Sequence, residues 1–141
     1  AVRILQDLDI EVYASFIVRP EFTRQDFAAL RRYCRELDLT FATFAMLTPL
    51  PGTDLYAEVN DQLLTHNYDY FDFLHPLLPT NLPLKQFYRE YLKLLTGAIA
   101  PAKQLAFLRK FPLRELPATL TTSFRVYNSL RTAHRDYEIG T

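Results

Sequence analysis

The chain has 141 residues, of which 49% are apolar and 23% charged, and its 16 basic and 16 acidic side chains cancel. These values predict a globular domain, and the balanced charge argues against nucleic acid as a partner. No stretch reaches the roughly 20 apolar residues of a membrane-spanning helix, so we expect a cytoplasmic protein. Its single cysteine, Cys34, excludes an intramolecular disulfide and any metal or iron-sulfur site that takes several thiolates from this chain.

An apparent helix over residues 1–8 is followed by two short apolar runs that flank an amphipathic helix. Residues 10–18 and 41–47 are rich in β-branched and aromatic types, which predicts two strands buried on both faces. Between them, Thr23 and Asp26 resemble a capping box, and apolar residues recur at helical spacing up to Leu37. This strand–helix–strand order predicts an α/β fold with two parallel strands and a right-handed crossover.

The rest of the chain predicts an irregular segment followed by helices. Thr53 is placed to cap a short helix up to Val59, and residues 60–82 lack a helical period, with at most one short strand at 71–75. Pro83 fits the first position of a long amphipathic helix, a shorter helix follows to about Lys110, and a last apolar stripe spans residues 116–134. We therefore divide the chain into an α/β part, residues 1–59, and a mainly helical extension, residues 60–141.

A motif follows the second strand. Residues 48–56 have the sequence TPLPGTDLY, which resembles the Pro-x-Pro-Gly-Thr-x-Leu-Tyr segment after the final core strand of radical S-adenosylmethionine (radical SAM) barrels. Residues 67–73 (NYDYFDF) and 82–88 (LPLKQFY) resemble the C-terminal extension of the cobalamin-dependent members, which include bacterial methylases of lipids such as hopanoids. The resemblance covers roughly residues 1–100 and implies a partial (βα) barrel, of two parallel strands with a crossover helix, followed by a mainly helical C-terminal extension.

The same resemblance implies cofactors. Radical SAM enzymes bind S-adenosylmethionine on a 4Fe-4S cluster held by three cysteines, and the cobalamin-dependent group transfers a methyl group from methylcobalamin to an unactivated carbon. Because this chain has one cysteine and begins with Ala1 rather than Met, we expect the cluster and any cobalamin module in an upstream part of the same polypeptide. The chain would then be the C-terminal fragment of a methyltransferase and inactive alone.

Ligands of parallel α/β sheets and barrels gather at the carboxyl ends of the strands. This carboxyl edge consists of Val18, Arg19, Pro20 and Glu21 after the first strand and of Leu47, Thr48 and Pro49 after the second. We predict that these residues bind S-adenosylmethionine, and the resemblance implies that backbone groups of residues 47–49 face its adenine. Arg19 stands where many members carry a glycine, and it either contacts a carboxylate or diol of the ligand or pairs with Glu21. The alternative is that the prolines only turn the chain into its extension.

Residues 60–82 contain candidates for contact with an apolar, lipid-like substrate. His66 and His75 lie among acidic residues at a spacing that matches no metal signature, so we predict no metal site and two partly buried, hydrogen-bonded histidines. His75, Tyr70 and Phe73 are the substrate-contact candidates, although such aromatic residues more often belong to a core. Cys34 lies on the apolar stripe of its helix, which predicts a buried, inert thiol.

The end of the chain favours a second hypothesis. Residues 101–141 carry 7 basic and 3 acidic side chains interleaved with apolar ones, which is typical either of a solvated helix face or of a helix on the anionic, cytoplasmic face of a membrane. The alternative function is a noncatalytic helical module that binds a protein partner or a membrane surface. Under the fragment hypothesis, the uncovered strand edges predict that the isolated chain self-associates.

Overall fold

The computed structural model describes residues 1–110, 112 and 114–137; residues 111, 113 and 138–141 of the predicted basic tail lie outside the described residues. The elements are, in chain order, α1 (Val2–Asp7), β1 (Tyr13–Val18), α2 (Arg24–Glu36), β2 (Phe41–Met46), α3 (Asp54–Val59), α4 (Leu84–Gly97), α5 (Pro101–Lys110) and α6 (Leu116–Thr132). Single 3₁₀ turns lie at Asn60–Gln62, Tyr68–Tyr70 and Ala133–Arg135.

The two strands form a parallel sheet, and α2 is the connection between them. The register pairs Tyr13 with Phe41 and Val18 with Met46. Helix α2 begins at the predicted capping box, in which the Thr23 hydroxyl accepts the Asp26 amide at 3.3 Å and the Asp26 carboxylate accepts the Thr23 amide at 2.8 Å. The α/β fold class, with two parallel strands and a mainly helical remainder, is confirmed.

Strand β1 is buried on one face only, so the prediction of burial on both faces is wrong. Tyr13, Ser15 and Ile17 are exposed, whereas the alternate residues Phe16 and Val18 face the core. The described helices α2 and α4 contribute to that one core, and no described element covers the other face. Apolar composition alone does not say whether both faces of a strand are covered within its own chain.

The core lies between the sheet, α2 and α4, with a contribution from the end of α6. Its most buried side chains are Val18, Phe27, Cys34, Leu39, Met46, Phe87, Tyr88, Tyr91 and Leu94. Tyr91 fixes α4 to the sheet, because its hydroxyl donates to the carbonyl of Phe44 at 2.6 Å. Cys34 is fully buried as predicted, and burial raises the pKa of its thiol.

Two element predictions in the extension need correction. Residues 71–75 form no strand, because Phe73 has a φ of 64° and the Asp72 carboxylate accepts the amides of Leu74 and His75, which turns the chain. Helix α4 begins at Leu84, one residue after Pro83, whose ψ of 136° is still extended. Within the described part of the chain, no helix is long and apolar enough to cross a membrane.

Candidate functional site

Four residues of the carboxyl edge that the sequence predicts are buried, namely Val18, Pro20, Thr48 and Pro49. The Leu47 amide donates to the Val18 carbonyl at 2.9 Å, so the ladder of the parallel sheet continues one residue beyond β2. Pro49 is buried, and Thr48 is 9% exposed with its hydroxyl donating to the Met46 carbonyl at 3.1 Å. The edge is therefore preorganised, and the Leu47 amide serves the sheet rather than a ligand.

Arg19 and Glu21 are the charged side chains of this edge. The Arg19 Nε lies 3.2 Å from the Glu21 Oε2, and the two side chains are 64% and 65% exposed. The structure thus contains the Arg19–Glu21 pair that was one of the two alternatives for Arg19. An exposed pair of this kind contributes about 0–1 kcal/mol. A ligand carboxylate would therefore compete for the guanidinium at little cost.

The irregular segment contacts the carboxyl end of each strand. Beside β2, the Met46 amide donates to the Phe73 carbonyl at 2.7 Å. Beside β1, the Asn81 amide donates to the Pro20 carbonyl at 3.0 Å, and its side-chain amide donates to the Glu21 carbonyl at 3.3 Å. Residues 71–82 are consequently fixed along the edge at which ligands of parallel sheets bind.

His75 lies in this segment, between two carboxylates. Its Nδ1 is 3.0 Å from both carboxylate oxygens of Asp72, and its Nε2 is 3.6 Å from the Oδ2 of Asp136. The His75 side chain is only 15% exposed, and its Nε2 has no hydrogen-bond partner among the described residues. The short contacts with Asp72 fix the orientation of the ring.

Three tyrosines surround the imidazole. The ring centroids of Tyr70, Tyr137 and Tyr88 lie 4.9, 6.1 and 6.4 Å from that of His75. The Tyr137 hydroxyl donates to the Pro76 carbonyl at 3.0 Å, and the Tyr88 hydroxyl donates to the Leu74 carbonyl at 3.3 Å. Burial is the main cause that raises the pKa of Tyr88 and Tyr137 well above the usual range. We call His75, Asp72, Asp136 and these three tyrosines the His75 cluster.

The structure brings together some of the predicted residues and not others. Tyr70 and His75 are in contact, and His75 is partly buried and hydrogen-bonded as predicted. Phe73 contacts the end of β2 only through its carbonyl, which accepts the Met46 amide, and its side chain is 45% exposed. His66 is exposed, so its predicted partial burial is wrong, because the residues around it form a loop on the surface.

Asp136 and Tyr137 are the residues that sequence reasoning missed. They lie 61 residues or more along the chain from their contacts Tyr70, His75 and Pro76. The helical stripe predicted for the last helix ended at residue 134. Neither residue belongs to a local motif, so only tertiary packing could have identified them.

The described residues do not fit an iron-sulfur cluster. Their one cysteine is enclosed in the core on α2, and no group of three or more His, Cys, Asp or Glu side chains among them could hold a metal ion. No part of the chain that the structure describes is therefore assigned to cluster binding.

Comparison with known proteins identifies relatives of this chain. Hopanoid C-3 methylase of Methylococcus capsulatus is 36% identical over 93 residues, which is 66% of this chain and 18% of the methylase. Over these residues the chain resembles the radical SAM enzymes. An uncharacterized methyltransferase of Pyrococcus horikoshii is 34% identical over 102 residues, or 70% of this chain and 21% of that protein. The radical SAM resemblance read from the TPLPGTDLY motif is confirmed.

A third relative is the anaerobic magnesium-protoporphyrin IX monomethyl ester cyclase of Cereibacter sphaeroides, 30% identical over 79 residues, or 55% of this chain and 13% of the cyclase. The chain spans about a fifth or less of the length of these curated relatives. No family model matches this chain, and no solved structure matches it significantly.

Proposed function

We propose that this chain forms the S-adenosylmethionine edge and the substrate-side cap of a radical SAM methyltransferase that acts on an apolar, lipid-like substrate. The observation that carries the proposal is the attachment of residues 71–82 to the carboxyl ends of β1 and β2. This attachment puts the His75 cluster beside the predicted cofactor residues. Two of the relatives are named a methylase and a methyltransferase, which supports the reaction class.

Residues 18–21 and 47–49 would bind S-adenosylmethionine along the sheet edge. Val18, Pro20 and Pro49 are buried and hold the backbone in place, while the exposed Arg19 offers a cation to the amino-acid carboxylate. When bound to a 4Fe-4S cluster, S-adenosylmethionine supplies a carbon-centred radical in the family that the sequence resembles. The ligands of that cluster, and a cobalamin as methyl donor, would come from outside the described residues.

Tyr70, Phe73 and His75 would contact the substrate. Phe73 offers an exposed aromatic ring beside the end of β2, which suits an apolar substrate surface. Asp72 holds the orientation of the His75 ring, whose Nε2 is buried. Together these side chains would orient a largely apolar molecule that carries one polar group.

The test is the cofactor content of the protein as expressed from its own gene and purified without oxygen. We expect iron for one 4Fe-4S cluster, a reduced electron paramagnetic resonance spectrum that changes when S-adenosylmethionine is added, and stoichiometric cobalt. If the protein contains the cluster but no cobalt, the radical chemistry remains supported and the cobalamin-dependent methyl transfer does not. The absence of a cluster from the purified protein would overturn the enzyme assignment.

The second candidate is the noncatalytic interaction module. It is favoured by one observation, the exposed apolar side chains of α6. Leu120, Phe124 and Val126 are 56%, 67% and 45% exposed, and such a surface is typical of a binding face. The cofactor experiment separates the two candidates, because an interaction module contains neither iron nor cobalt. A start codon at residue 1 of the reading frame would also favour the module.

A further inference from the structure

A groove between α4 and α6 is used by neither the carboxyl edge nor the His75 cluster. Two cavities of about 550 and 300 Å³ lie along it, and they share Leu92, Thr96 and Tyr127. Their volumes fall in the range of about 300–1,000 Å³ that is typical of small-molecule sites. On α4 the groove is lined by residues three or four positions apart, which form one face of the helix.

The larger cavity is strongly basic. Its lining contains Lys85, Arg89, Lys93 and Arg131. The acidic residue paired with them is Glu90, whose Oε1 lies 2.9 Å from Lys93 Nζ and 3.8 Å from Arg89 Nε. Lys85 and Arg131 take part in no ion pair among the residues that the structure describes. The four cations are thus balanced by one carboxylate.

The positive charge continues beyond this cavity. Lys85 also lines a neighbouring cavity together with His134, Arg135 and Tyr137, the last of which belongs to the His75 cluster. The buried Nδ1 of His134 has no hydrogen-bond partner within residues 1–110, 112 and 114–137. A buried ring nitrogen of this kind is costly to leave unpaired. It therefore adds a polar group without a partner to the basic end of the groove.

The opposite end of the groove is apolar. The smaller cavity is lined mainly by apolar residues, Leu92, Leu95, Val126, Tyr127 and Leu130, together with Thr96, Thr122 and Ser123. An ion alone would leave this end unfilled, and a neutral hydrocarbon would leave the cations of the other end without a counter-charge. The two ends together select a molecule with both properties.

We propose that this groove binds one molecule of an amphiphile with an anionic head group, a phosphate or a carboxylate, on an aliphatic chain. Lys85, Arg89 and Arg131 hold the head group through charge-assisted hydrogen bonds, and the chain lies along Leu95, Val126 and Leu130. The proposal does not depend on the radical SAM function, because no residue of the carboxyl edge or of the His75 cluster lines these two cavities.

Titration calorimetry with dodecyl phosphate, below its micellar concentration and on the protein as expressed from its gene, tests the proposal. The double variant Arg89→Gln/Arg131→Gln should lower the affinity at least tenfold. Ser123→Trp, which places a large ring at the apolar end, should also lower it. Arg109→Gln/Arg125→Gln is the matched control, since it also removes two positive charges, from exposed residues that line neither cavity. Circular dichroism checks that each variant is folded.

Four results would overturn the proposal. Equal losses for Arg109→Gln/Arg125→Gln and for Arg89→Gln/Arg131→Gln would mean that only the total charge matters. Equal affinity for dodecyl maltoside would mean that binding does not require an anionic head group. Equal affinity for inorganic phosphate would mean that binding does not require an aliphatic chain. Phosphatidylglycerol vesicles test whether the groove binds a membrane instead. If the chain binds these vesicles and Arg89→Gln/Arg131→Gln leaves that binding unchanged, the positive charge serves a bilayer surface and not one bound molecule.

Discussion

Arg19 has a close counterpart elsewhere on the surface. Both Arg19–Glu21 and Arg32–Glu36 are exposed ion pairs, with N–O distances of 3.2 and 3.6 Å. Only Arg19 lies at the carboxyl edge. If it meets the carboxylate of S-adenosylmethionine, Arg19→Gln should weaken equilibrium binding of this ligand by about tenfold, or about 1.4 kcal/mol. Arg32→Gln should leave binding unchanged. Equal affinities of the two variants would mean that Arg19 pairs with Glu21 and does not bind the ligand.

Tyr91 makes the free energy of unfolding fall at high pH. Burial, with a smaller effect of Asp72, raises its pKa to about 12, from the ordinary tyrosine value of 10.0. Between these two values the unfolded chain loses the phenol proton and the folded chain keeps it, so the free energy of unfolding falls as pH rises. Urea denaturation at several pH values between 7 and 12 measures this fall.

The Tyr91→Phe variant identifies the contribution of Tyr91. It should be less stable at pH 7 by about 1–3 kcal/mol, because the buried carbonyl of Phe44 loses its donor. Its further loss between pH 10 and 12 should be smaller than in the unmodified chain. Tyr68→Phe is the control, since Tyr68 is 68% exposed. The same pH dependence in all three proteins would disprove the assignment to Tyr91.

At the scale of elements, helix α2 depends on its cap. The Thr23 hydroxyl and amide both donate to the Asp26 carboxylate, which lowers the pKa of Asp26. Thr23→Ala should lower the free energy of unfolding by about 1 kcal/mol. The part that depends on the Asp26 charge is present above the ordinary carboxyl pKa and is lost as pH falls through the lower folded value.

Urea denaturation at pH 7 and at pH 3 measures both effects of the Thr23 substitution. Thr121→Ala is a suitable control, because Thr121 is an exposed threonine in the interior of α6. It should change stability by no more than about 0.5 kcal/mol. A loss at Thr121 as large as the loss at Thr23 would mean that the capping box does not stabilise the start of α2.

Local signals were sufficient for most elements. The capping box, the apolar period of α4 and the two β-rich runs each depend on residues a few positions apart, so the parallel unit and the helices could be predicted. The strand at residues 71–75 was wrong because Asp72 turns the chain through its own side chain. Asp136 and Tyr137 escaped prediction because their contacts are made across the chain. The carboxyl edge and His75 were therefore predictable as candidates, whereas the cluster around His75 was not.

At the scale of the whole molecule, the uncovered face of the sheet is the most consequential feature. Tyr13 and Ile17 on β1 are 67% and 60% exposed, and they lie on the face opposite the core. In a (βα) barrel the corresponding face points into the barrel, where other strands cover it. The exposed face is thus in keeping with a chain that spans about a fifth of the length of these two relatives.

This face predicts that the 141-residue chain self-associates when it is produced alone, since an apolar sheet surface with open edges favours pairing with a second copy. Sedimentation velocity over a range of concentrations should detect the association, and Ile17→Lys should shift the distribution toward monomer. Ile4→Lys adds the same charge at a residue of α1 that is 64% exposed, and it should have little effect. Equal shifts of the distribution for Ile17→Lys and Ile4→Lys would mean that the added charge, and not its position, causes the change. A sharp monomer peak for the unmodified chain at high concentration would instead mean that the sheet face needs no cover, and it would count against the barrel-fragment interpretation.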